Sequence, residues 1–362
     1  MPNADSSKPR LSVMLANYNH GRYLRESLAA IVSQDYDDFE LLVIDDGSTD
    51  DSVAIIGEFI RDYPRIIFLR NEENTGGLAA IQKLLDRASG DYLYFAAADD
   101  RIRPGFFRKS MVLLEKFPSA GLCSGLAGMI TADGRIIGNY LSPVVNQKQC
   151  YFTPGMVVEK LLDYGPCFMG NALIYRRSTW AAVGGFHTEL GPFADGFAYQ
   201  AMALRAGACF IPEALADWRR TGAGYSANVY ADWEQSLAII NRAEVLMTGQ
   251  HKNLFPRVYV RKWLRLAHFR QALSAWGDLW QRQNATIDKS RKLMSKWLAP
   301  VNWLLSVLLK MAGLLYLLLG IIILLTGIRP PFNWIFRRLR LALRSINWLN
   351  PVKGIGNLLG RL

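Results

Sequence analysis

Short apolar runs alternate with amphipathic stretches along the first hundred residues of the chain. The apolar runs predict four strands, at Leu11–Leu15, Leu41–Ile44, Ile66–Leu69 and Tyr92–Phe95. Apolar residues at helical spacing predict helices between them, one through Leu24, Leu28, Ile31 and Val32, one from near Asp51 and one over Leu78–Arg87. Ser48 or Thr49 is expected to cap the second helix. This alternation predicts an α/β fold with a mostly parallel, doubly wound sheet and helices on both faces.

Two pairs of aspartates, Asp45-Asp46 and Asp99-Asp100, directly follow predicted strands. Ligands of such sheets bind beyond the carboxyl ends of the strands, so both pairs indicate a site at that edge. Asp99 and Asp100 are candidates to hold a divalent cation, Mg²⁺ or Mn²⁺, against a diphosphate whose charge needs neutralising. Asp46 is a candidate acceptor of hydrogen bonds from a nucleotide base or ribose. The alternative is that each pair only caps the helix that follows.

The charge of the chain is unevenly distributed. Lys and Arg number 42 and Asp and Glu 31, for a net charge of +11, yet no acidic residue follows Asp288. Basic residues interleaved with apolar ones near the C-terminus favour a membrane with anionic lipids as partner and disfavour nucleic acid. The four cysteines form no CxxC motif, which argues against a disulfide framework or a zinc site and fits a reducing compartment.

The sequence divides into four parts. They are an α/β domain at 1–225, a helical extension at 226–297, a hydrophobic membrane segment at 298–330 and a basic amphipathic interfacial tail at 331–362. Within the third part, Met311–Ile328 is near the shortest length that crosses a bilayer. Because basic residues flank it on both sides, we expect a re-entrant or monotopic attachment, with an ordinary single span as the alternative.

A series of short motifs runs through about residues 11–225 in a fixed order. They are Val13–Asn19, Val43–Asp50, Asn74–Gly77, Ala88–Tyr92, Ala98–Asp100, Gly170–Arg177, Val183–Phe186, Phe193–Asp195 and Leu204–Gly207. In this order they resemble family 2 of the glycosyltransferases. The resemblance implies that residues 1–225 are a catalytic domain with a GT-A-type, Rossmann-like fold, with a nucleotide-sugar half at about 11–100 and an acceptor half at about 101–225. It also implies a metal-dependent, inverting transfer of a sugar from a nucleotide diphosphate sugar, with UDP as the expected nucleotide.

The resemblance also implies roles for single residues. Asp195 matches the catalytic base that takes the proton of the acceptor hydroxyl, and Asp99 and Asp100 match the metal-binding aspartates. The expected donor contacts are Ala16, Tyr18, Asp46, Gln82 and Asp99. The expected phosphate or acceptor contacts are Asn171, His187, Arg219 and Arg220.

The chain departs from the family pattern in three places. Ala97 and Ala194 stand where relatives often carry acidic residues, which predicts leaner metal coordination resting on Asp100 and the diphosphate itself. Gln82 stands where an asparagine is common. Trp218–Thr221 stands where a histidine is frequent, so either Arg219 or Arg220 neutralises phosphate there or the segment is a solvated basic loop.

These features together predict a glycosyltransferase on the cytoplasmic face of a bacterial inner membrane. The expected acceptor is a lipid-linked saccharide of surface polysaccharide synthesis, which the basic tail would keep close. One alternative is direct transfer of sugar to a polyprenyl phosphate. The other is an inactive sugar-nucleotide-binding scaffold, which Ala97 and Ala194 favour and the four retained aspartates disfavour.

Overall fold

The computed structural model describes residues 10–138, 143–220, 226, 229–230 and 232–271. In this part of the chain, ten strands form one sheet. The strands are β1 Leu11–Asn17, β2 Phe39–Asp46, β3 Ile67–Asn71, β4 Tyr92–Ala97, β5 Arg101–Ile102, β6 Leu122–Ile130, β7 Ile136–Gly138, β8 Cys150–Phe152, β9 Leu173–Arg176 and β10 Ala208–Arg219.

Eight α-helices have both of their ends in the described residues, and a further helical segment covers 257–271. They are α1 Gly21–Val32, α2 Ser52–Asp62, α3 Gly77–Leu85, α4 Phe106–Lys116, α5 Pro154–Tyr164, α6 Arg177–Ala182, α7 Ala194–Ala206 and α8 Trp233–Thr248. Two 3-10 helices lie at Gly170–Ala172 and Thr188–Phe193.

The sheet is mixed, and its longest pairings are parallel. The strand order is β3-β2-β1-β4-β9-β6-β10-β5, with β7 on β6 and β8 on β10. The pairs β1–β2, β2–β3, β1–β4 and β6–β10 are parallel, whereas β9 runs antiparallel to both β4 and β6. The predicted α/β fold with a mostly parallel sheet is therefore confirmed, with β9 as an antiparallel strand at its centre.

Alternate residues of β1 face opposite sides of the sheet. Leu11, Val13 and Leu15 join one core cluster with residues of α1 and α4, such as Leu24 and Phe107. On the other side α3 lies against β1 and β2, where it buries Ala80 and Leu84. Helices thus cover both faces at the centre of the sheet, as the sequence predicted.

The four predicted strands and three predicted helices are present in order, but the predicted helix cap is wrong. Asp51 is the first flanking residue of α2, and no side chain caps it. Ser48 instead accepts hydrogen bonds from the side chain of Asn17 (3.1 Å) and the backbone of Asn19 (2.9 Å). The backbone N–H of Thr49 donates to Oδ1 of Asn19 (2.8 Å), and that of Ser48 donates to Asp45 of β2 (3.0 Å). The Ser48-Thr49 turn therefore links the ends of β1 and β2.

By internal contacts the chain divides into two compact units. The described residues within Met1–Ala227 and Asn241–Val260 form the first, and those within Asn228–Ile240 and Arg261–Leu362 form the second. In the described part no helix is long and apolar enough to cross a membrane. The predicted membrane segment 298–330 and basic tail 331–362 lie outside the described residues. All four cysteines are free thiols in this structure.

Candidate active site

The carboxyl ends of β1, β2 and β4 meet at one edge of the sheet and bring the predicted donor-site residues together. Ala16 lies opposite Ala97 at the end of β4, and Asn17 lies opposite Asp45 at the end of β2. Tyr18, one residue beyond β1, is 41% exposed and so remains open to a ligand. This edge is where a parallel sheet presents its binding crevice.

Asp46 is buried at this edge and organises the loop after β3. Its Oδ1 accepts hydrogen bonds from the side chain of Asn71 (2.5 Å) and from the backbone (3.0 Å) and hydroxyl (2.8 Å) of Thr75. Its Oδ2 accepts one from the backbone of Gly76 (2.9 Å), the residue before α3. Burial alone would raise the pKa of Asp46, but these four hydrogen bonds lower it below its ordinary value. Asp46 therefore holds the 71–76 loop in place. Its Oδ2, which accepts one hydrogen bond from the protein, can accept another from a ligand.

The Asp99-Asp100 turn follows β4 directly and is fixed by two distant segments. Asp100 is buried, and its Oδ1 accepts the backbone N–H of Arg219 at the end of β10 (2.9 Å). Its Oδ2 accepts the side-chain amide of Asn171 (3.0 Å). Burial, followed by the negative charge of Asp99, raises the pKa of Asp100 to about 7. The turn is therefore held in place from two sides, and neither aspartate caps the following helix α4.

The 3-10 helix at Gly170–Ala172 connects this turn to Asp195. Asn171 donates to Asp100, and its carbonyl accepts the hydroxyl of the buried Tyr94 (3.1 Å). The neighbouring Gly170 lies so close to Asp195 that a Cβ there would be 2.5 Å from Oδ2 of the carboxylate. The metal-site candidates and the base candidate, almost a hundred residues apart in sequence, thus share one short segment.

Asp195 lies in the first turn of α7. Its Oδ1 accepts the backbone N–H of Gly196 (2.5 Å). Desolvation by surrounding protein atoms raises the pKa of Asp195 to about 6, although the residue keeps solvent-exposed surface. A carboxylate that is reachable from solvent and has a raised pKa suits a general base near neutral pH.

Arg219 is buried, so it does not belong to a solvated basic loop. Its Nε donates to the carbonyl of Asp99 (2.7 Å) and its Nη1 to the carbonyls of Thr131 and Ala132 (3.2 Å each). Its Nη2 donates to Glu26. The guanidinium, which was expected to contact phosphate, therefore donates its hydrogen bonds to protein oxygens. In this structure Arg219 instead fixes the Asp99-Asp100 turn.

Arg220 is the exposed arginine of the pair. Its guanidinium lies 5.9 Å from the centre of the Trp218 ring, which is itself 41% exposed. Its backbone N–H pairs with Ile130, which keeps the residue at the end of the β6–β10 ladder. Of the two arginines, Arg220 is the one with a side chain available for a phosphate or an acceptor.

Two other predicted residues are engaged elsewhere. Gln82, on the exposed surface of α3, donates to Asp86 (2.8 Å), and its donor contact stays a prediction. The adjacent Lys83, which the sequence analysis did not select, reaches Asn71 (2.6 Å) beside Asp46. His187 places its Nε2 3.2 Å from Nε2 of His251, so its expected acceptor role stays a prediction without a contact that supports it.

The oxygen donors at this edge fit a hard divalent cation that is shared with a diphosphate. The described residues contain no group of three or more His, Cys, Asp or Glu side chains able to hold a metal ion. Asp99 and Asp100 supply two carboxylates, and Oδ1 of Asn171 is buried without a hydrogen-bond partner. Since Mg²⁺ and Mn²⁺ prefer oxygen ligands and often share them with substrate phosphates, two carboxylates suffice when the diphosphate completes the coordination.

Comparison with known proteins supports this assignment of the fold. Residues 12–177 match the family described as Glycosyl transferase family 2. MT1568 of Mycobacterium tuberculosis is 29% identical over 242 residues, 62% of this chain and 72% of its own. An uncharacterised glycosyltransferase of Haemophilus influenzae is 28% identical over 232 residues (61% and 68%). TuaG of Bacillus subtilis, named for teichuronic acid biosynthesis, is 27% identical over 134 residues (37% and 53%).

Two solved structures share the fold. TarS 1-349 of S. aureus, in complex with UDP-GlcNAc, superposes with a TM-score of 0.52 at 16% identity and covers 73% of this chain and 81% of its own. The mannosyltransferase PcManGT of Pyrobaculum calidifontis, in complex with GDP-Man and Mn²⁺, has a TM-score of 0.51 at 17% identity, over 90% and 89%. At these identities the two likenesses establish the GT-A-type fold.

Proposed function

We propose that this chain, which belongs to glycosyltransferase family 2, transfers a sugar from a nucleotide diphosphate sugar to a saccharide acceptor at a membrane. UDP is the first nucleotide to test and GDP the second, because the two solved neighbours hold sugars linked to them. The observation that carries the proposal is the direct connection of the Asp99-Asp100 turn to Asp195 through Gly170 and Asn171.

The chemistry proposed for Asp195 is general-base catalysis of a single displacement. The acceptor hydroxyl attacks the anomeric carbon and gives its proton to the carboxylate of Asp195. The new glycosidic bond forms as the bond from that carbon to the diphosphate oxygen breaks, and the nucleoside diphosphate leaves with the electron pair. Attack opposite to the leaving group inverts the configuration at the anomeric carbon. A pKa of about 6 leaves most of Asp195 ionised at neutral pH, yet makes it more basic than an ordinary aspartate.

Asp99 and Asp100 are proposed to hold Mg²⁺ or Mn²⁺ next to the diphosphate. When bound, the cation would neutralise charge on the leaving group. Asn171 and Arg219 hold Asp100 in place by hydrogen bonds, so the carboxylates need little rearrangement on binding. Asp46 and the loop that it fixes are proposed to receive the base or ribose, together with Ala16, Tyr18 and Gln82.

The acceptor is proposed to be a lipid-linked saccharide of surface polysaccharide synthesis at the cytoplasmic face of a bacterial inner membrane. The support is a relative named for teichuronic acid biosynthesis and the basic, apolar composition of residues 298–362. The test of attachment is a cysteine introduced as Ile355→Cys in intact cells. Protection from an impermeant thiol reagent agrees with a re-entrant or monotopic segment, whereas labelling from outside contradicts it.

The test of catalysis is a donor panel of UDP- and GDP-sugars with Mn²⁺ or Mg²⁺, with release of nucleoside diphosphate as the measured quantity. Asp99→Ala, Asp100→Ala and Asp195→Asn should each abolish or strongly lower turnover, and EDTA should suppress it. Asp62→Asn, an exposed residue at the end of α2, is the matched control and should retain activity. Donor binding without turnover by the unmodified protein would favour the inactive scaffold.

A further inference from the structure

The helix that carries Asp195 is backed by a segment far downstream in the sequence. Asn241–Val260 belongs to the same compact unit as α7 and lies beyond the family-matched residues 12–177. Its Phe255 packs on Phe197 of α7 with ring centres 5.2 Å apart. His251 also lies 5.2 Å from the Phe197 ring. The first turn of α7 therefore rests on a C-terminal layer and not only on the sheet.

One chain of hydrogen bonds runs from this layer to the carboxylate of Asp195. The hydroxyl of Tyr259 donates to Oε1 of Gln200 in α7. Nε2 of Gln200 donates to the carbonyl of Gly196 (2.7 Å), and the N–H of Gly196 donates to Oδ1 of Asp195 (2.5 Å). Gln200 has no solvent-exposed surface, so water cannot replace either of its partners.

The hydrogen bonds and the packing around Gly196 restrict its backbone. A Cβ at this position would lie 2.8 Å from the ring of Phe193, so the segment packs tightly around a glycine. Burial raises the pKa of Tyr259, which keeps its hydroxyl protonated as a donor over the physiological range. Against the effect of burial, the hydrogen bond from Gly196 lowers the pKa of Asp195. Any loosening of Gly196 would therefore change both the orientation and the basicity of Asp195.

We propose that Tyr259 and Gln200 are positioning residues, which hold Gly196 so that its N–H fixes the carboxylate of Asp195 in one orientation. The inference rests on the proposed function, in which Asp195 is the base. It assigns a role in the reaction to a residue outside the family-matched region.

The kinetic test compares Tyr259→Phe and Gln200→Met with Tyr151→Phe. The hydroxyl of Tyr151, in β8, donates to the carbonyl of Ala206 (3.0 Å) at the opposite end of α7. The control therefore removes a tyrosine hydroxyl that is bonded to the same helix, but away from Asp195. We expect kcat to fall by about tenfold in Tyr259→Phe and Gln200→Met, with KM for the donor unchanged, since small displacements of a catalytic group lower rates steeply. Tyr151→Phe should keep the kcat of the unmodified protein, while its Tm should fall by about as much as the Tm of Tyr259→Phe. Equal kcat values for Tyr259→Phe and Tyr151→Phe would overturn the role of this link in catalysis, and the second measurement then decides whether the link to Asp195 exists.

A second measurement gives the pKa of Asp195 and does not depend on activity. The ¹³C shift of its carboxyl, assigned with Asp195→Asn, is followed against pH in the unmodified protein, Tyr259→Phe and Tyr151→Phe. The pKa of Asp195 should rise in Tyr259→Phe and stay in place in Tyr151→Phe. An unchanged pKa in Tyr259→Phe contradicts the positioning role, whatever the kinetics show. A raised pKa with unchanged kcat supports the link to Asp195 but contradicts its proposed role as the base.

Discussion

The pH dependence of turnover tests the assignment of Asp195 most directly, because the structure gives its carboxylate an unusual pKa. Desolvation raises that pKa to about 6, and only the ionised form can accept a proton. At saturating donor and acceptor, kcat should therefore be about half of its plateau near pH 6 and about one tenth of it at pH 5. With an ordinary aspartate pKa of about 3.9, roughly nine tenths of the activity would remain at pH 5.

Asp100 also titrates near neutrality and has to be separated from Asp195. Burial, together with the charge of Asp99, raises the pKa of Asp100 to about 7 in the absence of a cation. A divalent cation favours the ionised carboxylate, so an acid limb that belongs to Asp100 should move to lower pH as Mn²⁺ is increased. An acid limb that belongs to Asp195 should not move. The assay is therefore release of nucleoside diphosphate from pH 4.5 to 8, at two saturating concentrations of Mn²⁺.

Two outcomes would refute the reasoning about Asp195. The first is full activity at pH 5, which would mean that no group with a pKa near 6 has to be ionised. The second is an acid limb that persists in the residual activity of Asp195→Asn, which would assign the limb to another group. Asp62→Asn serves as the control, since it makes the same chemical change at an exposed position and should preserve the profile.

Three further predictions concern the support of the site. Gly170→Ala should lower kcat by about tenfold or more with donor affinity kept, because its Cβ would displace the Asp195 carboxylate; unchanged kcat contradicts this contact. Asp217→Ala should lower the free energy of unfolding in urea by about 3 kcal/mol, because it leaves two arginines without their buried partner; a loss below about 1 kcal/mol would show that solvent replaces it. Arg219→Lys should weaken binding of nucleoside diphosphate with Mn²⁺ in calorimetry by about tenfold, a loss of about 1.4 kcal/mol, whereas the exposed control Arg135→Lys should not.

The sequence predicted the elements that depend on local pattern. Strands β1 to β4 and helices α1 to α3 follow from apolar spacing, and both Asp pairs lie at strand ends as expected. Order and type of element were predictable because neighbouring residues decide them. The ends of elements were less so: α3 stops at Leu85, two residues before the predicted end.

Contacts between distant residues were not predictable in this way. Arg219 is separated from Glu26 by 193 residues, and no local sequence pattern predicts the hydrogen bond between their side chains. His187 and His251 are 64 residues apart, so the sequence showed two single histidines where the fold has a pair. Gln200 appears in the sequence as a polar residue on a helix, yet its burial gives it a fixed pair of partners.

Asp46 and Asp195 show how the same side chain acquires opposite properties in one site. Desolvation acts on both carboxylates, and by itself it would raise the pKa of each. Four hydrogen-bond donors surround Asp46, and together they outweigh burial, so that this carboxylate is a lasting negative charge that holds a loop. Asp195 receives only backbone donors, from Gly196 and from its own N–H, which do not outweigh desolvation, and its pKa stays near 6. Environments that drive the pKa values of two identical groups apart in this way suit them to different roles, and here the hydrogen-bond donors around each carboxylate set the difference.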